Sequence, residues 1–346
     1  MNELQTILDD SVTKLFEARV DREFLTRVEE AGFSQELWTL VEEQGLTQVL
    51  VSEEAGGMNA GWADAYVVVR ACGRYGVPLP VPETMLGRWL QERAGAPIAD
   101  GVIGLLPETL HLGANGTLSA EIARVPWGRD AAQFVGMTSD GALVVFDTAQ
   151  VSLHEDLNLA REPRDTVSFR DARPLGRYPL DLPPDCIRWL GALLRSAQIA
   201  GAAAGCLEMS VRYTSEREQF GRLLSQFQAI QHHLAELAGA MASVDTMAHT
   251  AFTALDSLGF RPQGRDARFE IASAKCRASE SVEMLTRLSH QVHGAIGFTY
   301  EYALQFLTRR LWSWRAEFGA NGEWGEALGR MAIDQGGDRI WAYLTN

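Results

Sequence analysis

The sequence predicts a mostly helical α+β protein in which two helical regions flank a short β-rich region. Residues 1–98 and 186–346 carry apolar side chains three and four positions apart, as amphipathic helices do. Between them, residues 99–185 show short apolar runs separated by turn residues, which is typical of a small β-sandwich or barrel. We therefore expect an N-terminal helical domain, a middle β domain and a C-terminal four-helix bundle with these boundaries.

The N-terminal region predicts helices with one interruption. Leu37, Leu40 and Val41 share one face of a helix that should end near Gly45. A short extended piece is expected over residues 46–58, because apolar residues there run into a pair of glycines. A further helix follows from Trp62, and another is expected around residues 86–92 after a proline-rich interruption at Pro78, Pro80 and Pro82.

The middle region contains four apolar runs that favour strands, over residues 101–106, 133–137, 142–146 and 166–169. Asn115-Gly116 and Asp140-Gly141 are good two-residue hairpin turns, since both dipeptides adopt positive φ easily. Short strands joined by such turns predict a small β-sandwich or barrel.

The C-terminal region begins with small residues that allow close helix approach, and continues with a long apolar stripe. The stripe alternates three and four positions apart, which predicts coiled-coil-like packing in a bundle; its members are Phe227, Ile230, Leu234, Leu237, Met241, Val244, Ala248, Ala251, Leu255 and Leu258. Gly259 and Pro262 should end this helix. Further helices are expected over residues 271–292, 301–318 and 323–344.

Composition excludes several classes of function. The 346 residues are 46% hydrophobic and 22% charged, and no stretch approaches the ~18–20 uninterrupted apolar residues of a membrane span. The net charge of −14 argues against nucleic-acid binding, because that binding depends on Lys and Arg neutralising phosphates. A phosphorylated cofactor remains compatible, since a few arginines and backbone N–H groups can bind one locally.

Cysteine and histidine usage indicates a reduced protein without a metal site. No secretion signal is expected, because the N-terminus is acidic and amphipathic, so we expect a cytoplasmic protein. Reduced, buried thiols are expected at Cys72, Cys186, Cys206 and Cys276. No carboxylate or cysteine lies at ligand spacing from the histidine pairs, which are His232 with His233 and His290 with His293.

Two segments of the C-terminal region carry the most specific signal. The first is Arg217-Glu-Gln-Phe-Gly-Arg-Leu-Leu, followed closely by Gln228, and the second is Gln291-Val-His-Gly-Ala-Ile-Gly-Phe. In this order and at this separation they resemble the flavin-dinucleotide clamp of the acyl-CoA dehydrogenase family. A weaker likeness to the family's N-terminal signature lies at Ser52-Glu-Glu-Ala-Gly-Gly-Met, where the family usually has Pro at the first position.

The resemblance implies an FAD cofactor and roles for individual side chains. The guanidinium of Arg217 would fork onto pyrophosphate oxygens, and Phe220 would offer an aromatic face. Gln291 would hydrogen-bond the cofactor, and Gly294 would let the backbone approach phosphate. The other cofactor-binding candidates are Gln228, Ala295 (where the family has a second Gly) and Gly297. Because the family's clamp serves a neighbouring subunit, the resemblance also implies a homo- or hetero-oligomer, dimer or tetramer, formed through the C-terminal bundle.

The chain departs from the family at the catalytic base. Counting from Arg309 places Phe318 where most members have a Glu, and the alternative base position, 26 residues before Arg217, is Gly191. Glu317 is the candidate base if the turn is shifted by one residue, with Glu323 as a weaker fallback. The family's Thr-Glu-Pro-x-x-Gly-Ser-Asp loop and Trp-Ile-Thr-Asn-Gly strand have no counterpart in the middle region.

The resemblance implies an FAD-dependent oxidoreductase that desaturates an acyl-CoA between its α and β carbons. Such an enzyme passes electrons to an electron-transfer flavoprotein in fatty acid or steroid side-chain catabolism. The missing base makes the chain similar to the base-lacking subunit of two-subunit members, which completes the partner's FAD site. Two alternatives stay open: a complete homo-oligomeric enzyme with Glu317 as base, and a non-catalytic helical scaffold.

Overall fold

The computed structural model describes residues 2–261 and 264–345, and the predicted helix stop at Pro262 lies outside them. Helices form the first part of the chain: α1 (Glu3–Arg19), α2 (Arg22–Ala31), α3 (Gln35–Glu43), α4 (Trp62–Arg74) and α5 (Val81–Arg93). At the start of α1, the Asn2 side chain accepts from the Gln5 backbone N–H while the Gln5 side chain accepts from the Asn2 N–H, so both free donors are satisfied.

The predicted extended piece over residues 46–58 is wrong, because this segment consists of turns and a single 3-10 turn at Glu53–Ala55. The Ser52 hydroxyl accepts from the Ala55 backbone N–H at 3.3 Å, and Gly56 adopts a φ of +87° after it. The residue that replaces the family's Pro therefore caps a helical turn.

The middle of the chain forms two small sheets. Their strands are β1 (Val102–Leu110), β2 (Leu118–Pro126), β3 (Ala131–Thr138), β4 (Ala142–Asp147), β5 (Val151–His154), β6 (Arg164–Ala172) and β7 (Gly176–Pro179). One sheet has the order β1-β3-β4-β7 and the other the order β2-β6-β5. The β1–β3 pair is parallel and the other pairs are antiparallel.

Long helices form the last part of the chain. They are α6 (Cys186–Glu216), α7 (Gln228–Leu258), α8 (Arg268–His293), α9 (Leu304–Trp314), α10 (Asn321–Gln335) and α11 (Ile340–Thr345), with a hairpin of β8 (Glu218–Gln219) and β9 (Arg222–Leu223) between α6 and α7. As predicted, α7 ends at Gly259, which has a φ of +62°. The predicted single terminal helix is wrong, because Gly336, with a φ of +77°, separates α10 from α11.

Contacts divide the chain into two compact units. One comprises Met1–Glu23, Val69–Val77 and Ala192–Asn346, and the other comprises Phe24–Val68 and Pro78–Gly191. Within the first unit, a Cβ at Gly201 would lie 1.9 Å from the Arg70 carbonyl oxygen, so α6 and the end of α4 touch backbone to backbone. The small residues of α6 thus allow the close approach that the sequence indicated. The three domain boundaries drawn from the sequence stay a prediction.

Burial of the long helices is uneven. Among the described helices, α6 is long and apolar enough to cross a membrane, but 94% of its most apolar window is buried inside the protein. The apolar stripe of α7 is buried from Leu237 to Leu255 except at Met241, whereas Phe227, Ile230 and Leu234 at its start are only partly covered by this chain. The beginning of α7 therefore keeps an apolar face toward solvent.

The four cysteines are free thiols. Cys72, Cys186 and Cys206 are buried as expected, and burial raises the pKa of Cys186 and of Cys206 to about 12, so neither forms a thiolate near neutral pH. Cys276 is only half-buried, and its thiol lies 3.1 Å from the Asn321 side-chain oxygen.

Candidate functional site

A groove of about 750 Å³ runs along the end of α8 and the facing side of α9. It brings together two predicted cofactor-binding residues, Gln291 and Gly294, with two guanidinium groups, Arg287 and Arg309. Its other lining residues are Glu283, Thr286, His290, Phe298, Gln305, Thr308 and Trp312. Two guanidinium groups beside amides and hydroxyls suit a ligand that carries phosphates and further polar groups.

Two buried polar atoms of this groove have no hydrogen-bond partner among the described residues. They are Nε2 of Gln305, a residue only 8% exposed, and Nδ1 of His290. An unpaired buried polar group costs about 1–3 kcal/mol, so native proteins seldom retain one without a role. The Gln305 amide is therefore suited to donate to an acceptor on a bound molecule, and a dinucleotide offers many.

The Gly294–Phe298 turn contains three predicted residues of the second clamp segment, which are Gly294, Ala295 and Gly297. They differ in burial and in their position relative to the groove. Gly294 ends α8 with a φ of +65°, a conformation that favours glycine. Ala295 is exposed but does not line the groove. Gly297 is buried, and a Cβ there would lie 3.1 Å from His290 Nδ1, from His293 Cβ and from Leu304 Cδ2. Its lack of a side chain serves internal packing.

The first clamp segment forms the β8–β9 hairpin, whose turn residues Phe220 and Gly221 have φ values of +54° and +75°. This turn leaves the Phe220 ring 92% exposed, with its edge toward Phe227 at a centroid distance of 6.4 Å. Arg217 and Gln228 are exposed at the two ends of the segment. None of the predicted residues Arg217, Phe220 and Gln228 lines the groove.

An aromatic contact joins the end of α6, just before the first clamp segment, to the second clamp segment. The Tyr213 ring on α6 stacks on the His293 ring on α8, with centroids 4.7 Å apart and planes at 23°. Tyr213 lies one helical turn before Arg217, and its carbonyl accepts from the Arg217 N–H at 2.9 Å. His293 directly precedes Gly294, so the stack fixes the first segment relative to the second. His293 thus has a packing role, and burial lowers its pKa.

The turn after α9, over residues 315–319, is where the family resemblance places the base. Phe318 occupies that position with a φ of +55°. The neighbouring Glu317 is 14% exposed on its side chain and forms an ion pair with Arg195 of α6, with Nε and Oε2 2.7 Å apart. The Arg195 guanidinium also lies over the Phe318 ring, 5.4 Å from its centroid. The carboxylate of Glu317 is therefore engaged by a buried cation.

A buried lysine binds the same turn from α8. Nζ of Lys275 donates to the carbonyl oxygens of Trp314 at 3.2 Å and Arg315 at 2.7 Å, and to the Ser279 hydroxyl at 3.0 Å. Burial lowers the pKa of Lys275 to about 7, although the nearby Glu317 carboxylate acts in the opposite direction. The turn is thus held from two helices.

The structure also shows the surroundings of Gly191, the alternative base position, and of Glu323, the fallback base. Gly191 lies buried in α6, one turn before Arg195, and has no side chain to act. The Glu323 carboxylate accepts from the Ala320 backbone N–H at 2.8 Å, so it caps the start of α10. Sequence reasoning missed Arg195 and Lys275; Arg195 is a lone charge in an apolar helical stretch, and Lys275 lies on the same helix face as Ile271, Ala278 and Val282, which is the signal that could have revealed them.

Among residues 2–261 and 264–345, no group of three or more His, Cys, Asp or Glu side chains is arranged to hold a metal ion. His290 bonds the Thr308 hydroxyl and His293 bonds the Ser289 carbonyl, so both rings are held by their own helices and α9.

Comparison with known proteins agrees with this architecture. The family model for the acyl-CoA dehydrogenase N-terminal domain matches residues 2–95, and the model for the acyl-CoA dehydrogenase C-terminal domain matches residues 190–322. A relative described as acyl-CoA dehydrogenase IpdE2, from Mycolicibacterium smegmatis, is 27% identical over 270 residues, which is 76% of each chain.

Two solved structures share the fold. The ChsE4–ChsE5 complex from Mycobacterium tuberculosis is 18% identical with a TM-score of 0.87, over 96% of this chain and 98% of the other. A variant of the Tcur3481–Tcur3483 steroid ACAD is 22% identical with a TM-score of 0.83, over 95% and 98%. These likenesses confirm the predicted fold class, with helical regions on either side of a β region.

Proposed function

The chain belongs to the acyl-CoA dehydrogenase family, and from this membership we propose that it is the FAD-completing subunit of a hetero-oligomeric acyl-CoA dehydrogenase. Members of the family are FAD-dependent oxidoreductases that act on acyl-CoA thioesters. The carrying observation is the Arg195–Glu317 ion pair, because it engages the carboxylate nearest to the base position of this chain. The partner subunit would supply the base.

The cofactor-binding part of the proposal rests on the groove and the hairpin. Gln291 and Gly294 would approach the dinucleotide, the Gln305 amide would donate to it, and Arg287 or Arg309 would balance its charge. Arg217 and Phe220, exposed on the hairpin, would reach FAD held by a neighbouring subunit. When bound, FAD supplies the hydride acceptor for the β-carbon of the substrate. The remaining candidates, Ala295, Gly297 and Gln228, would support the groove and the hairpin from neighbouring positions.

The association surface is proposed from exposed apolar groups. The Phe220 ring is 92% exposed, and the first turns of α7 keep an apolar face that this chain covers only in part. Exposed aromatic rings and exposed apolar helix faces are typical of subunit interfaces. We expect a dimer or tetramer formed through the C-terminal helices.

The substrate and electron acceptor follow from the family and its relatives. We propose an acyl-CoA from fatty acid or steroid side-chain catabolism, since a solved structure with this fold is described as a steroid ACAD. An electron-transfer flavoprotein would receive the electrons, and the enzyme would work in the cytoplasm.

Purification of the chain alone and together with candidate partner subunits tests this proposal. A colourless chain that yields a yellow complex on co-expression, with flavin absorbance and acyl-CoA-dependent flavin reduction, would support it. A yellow homo-oligomer that reduces its flavin without a partner would instead favour a complete enzyme with Glu317 as base. Absence of flavin from every preparation would favour the non-catalytic scaffold.

A further inference from the structure

The His290 imidazole joins three elements that form the groove. It projects from the last turn of α8, directly before Gln291, and stacks on the Phe298 ring with centroids 4.0 Å apart and planes at 14°. Its Nε2 lies 2.9 Å from the Thr308 hydroxyl on α9. One side chain therefore links the end of α8, the turn that follows it and the neighbouring helix.

The hydrogen bonds of Thr308 assign the tautomer of His290. The Thr308 hydroxyl lies 2.9 Å from Nε2 of His290 and 3.4 Å from the Gln305 carbonyl oxygen, and an imidazole with its proton on Nε2 is the tautomer that suits both contacts, because the hydroxyl can then accept from Nε2–H and donate to the carbonyl. Nδ1 is then the unprotonated nitrogen. It is buried without a hydrogen-bond partner among the described residues, and a Cβ at Gly297 would lie only 3.1 Å from it. A second proton on the ring would place a buried N–H where no acceptor meets it.

The surrounding charges favour the neutral ring. Arg287 on α8 and Arg309 on α9 line the same groove, with Glu283 as the carboxylate among its lining residues. His293 lies three residues further along α8 and stacks on Tyr213 of α6. Burial lowers the pKa of His290, and His293 lowers it further. The imidazole is therefore neutral near physiological pH.

We propose that neutral His290 is the positioning residue of the flavin groove, and that protonation of its Nδ1 releases Gln291 and Gly294 from their binding geometry. Protonation would put an unpaired N–H into the narrow space beside Gly297, which would shift the ring and weaken its stack on Phe298. FAD would then be held less firmly as the pH falls. This inference rests on the proposed FAD-binding role of the groove.

Flavin release, followed by the fluorescence of free FAD, tests the inference in the flavin-loaded assembly. We expect wild type to lose about tenfold or more in FAD affinity between about pH 7.5 and about pH 5.5, as titration of one group allows. His290→Gln keeps an amide donor for Thr308 and cannot titrate, so its FAD affinity should stay flat. His290→Phe keeps the stack but loses the Thr308 bond, and should hold FAD weakly at both pH values. His154→Gln, a matched change at an exposed position of β5, should follow wild type.

The outcomes separate this inference from the proposed function. Wild type and His290→Gln releasing FAD with the same pH dependence would overturn the role of His290 while leaving the groove as the site. If no preparation binds FAD, the proposed function fails, and the apo chain still tests the ring. As the pH is lowered below about 6.5, the melting temperature of the apo chain should fall more steeply for wild type than for His290→Gln. The reason is that His290 binds a proton more readily in the unfolded chain than in the folded one. Identical pH profiles would refute a neutral, half-buried ring.

Discussion

Arg195 and Glu317, 122 residues apart in the chain, form an ion pair whose Nε–Oε2 distance is 2.7 Å and whose arginine side chain is 1% exposed. The guanidinium also bonds the Gln198 side-chain oxygen one turn along α6. A buried cation with these partners depends on its carboxylate for compensation. Glu317 therefore has a structural role that is independent of any chemistry.

Removing one partner of this pair should destabilise the protein more than removing both. We expect Glu317→Leu to lower the free energy of unfolding by about 3 kcal/mol, because it leaves a buried guanidinium unpaired. The double variant Arg195→Met with Glu317→Leu should recover part of that loss. Urea denaturation of the four members of the cycle measures the coupling. Strictly additive losses would show that the two side chains do not stabilise each other.

The pH dependence of stability should report the buried amine of Lys275. Its pKa in the folded protein is about 7, against an ordinary value of 10.5, so between these values the unfolded chain binds more protons than the folded one. The contribution of this group to stability therefore rises with pH from about 7 and is lost as the pH falls through 7.

Lys275→Met removes the titration, so the melting temperature of wild type relative to this variant should rise between about pH 6.5 and about pH 8.5. That range avoids ionisation of the buried thiols, whose pKa values burial raises. Differential scanning calorimetry of both proteins provides the comparison, with Lys14→Met, an exposed position of α1, as the control. A constant difference across the range would mean that the amine keeps its ordinary proton affinity when folded.

The two clamp segments should contribute to flavin retention without contributing to the core. Arg217→Ala and Gln291→Ala together remove an exposed guanidinium and an exposed amide, so we expect a lower flavin content per chain and an almost unchanged melting temperature. Arg330→Ala, an exposed arginine of α10, is the matched control. Undiminished flavin content in the double variant would remove these residues from the proposed site.

Local signals in the sequence predicted the broad fold, whereas the cofactor-binding role of the two clamp segments stays a prediction, and the contacts around them were not foreseen. Periodicity predicted α7, α8 and the turn at Gly259, because helix faces and glycine stops are local properties. The role of Gly336 was missed, because a lone glycine inside a helical pattern is often tolerated. The Ser52 cap was missed because short apolar segments that form strands and those that form turns have similar amino-acid compositions.

The ion pair of Arg195 illustrates why the site was only partly predictable. Counting residues from Arg309 makes its partner, Glu317, a candidate base. That count says nothing about which helix packs against the turn. Lys275 likewise lies among apolar neighbours on α8 and meets the Trp314 and Arg315 carbonyls only after folding. Contacts between a charged side chain and partners far away in the sequence can be seen only in the folded chain.

Turnover of straight-chain acyl-CoAs by this chain alone should be poor or absent. The family resemblance places Phe318 and Gly191 at the two positions where the family keeps its base, and Glu317 is engaged by Arg195. Loss of a general base typically removes about 10²–10⁴ in rate, so a weak rate is expected rather than a strong one. The rate of flavin reduction by acyl-CoA, measured for the chain alone and with partner subunits, provides the test.

Glu317→Gln distinguishes the two possible sources of the base. It keeps the size of the side chain and an oxygen that can accept from Arg195 while removing basicity. If a partner subunit supplies the base, the rate in the complex should change little, and any loss of stability should appear in the melting temperature instead. Strong turnover by the chain alone that Glu317→Gln reduces by about 10²-fold or more, with a melting temperature near that of wild type, would make Glu317 the base and overturn the half-site proposal.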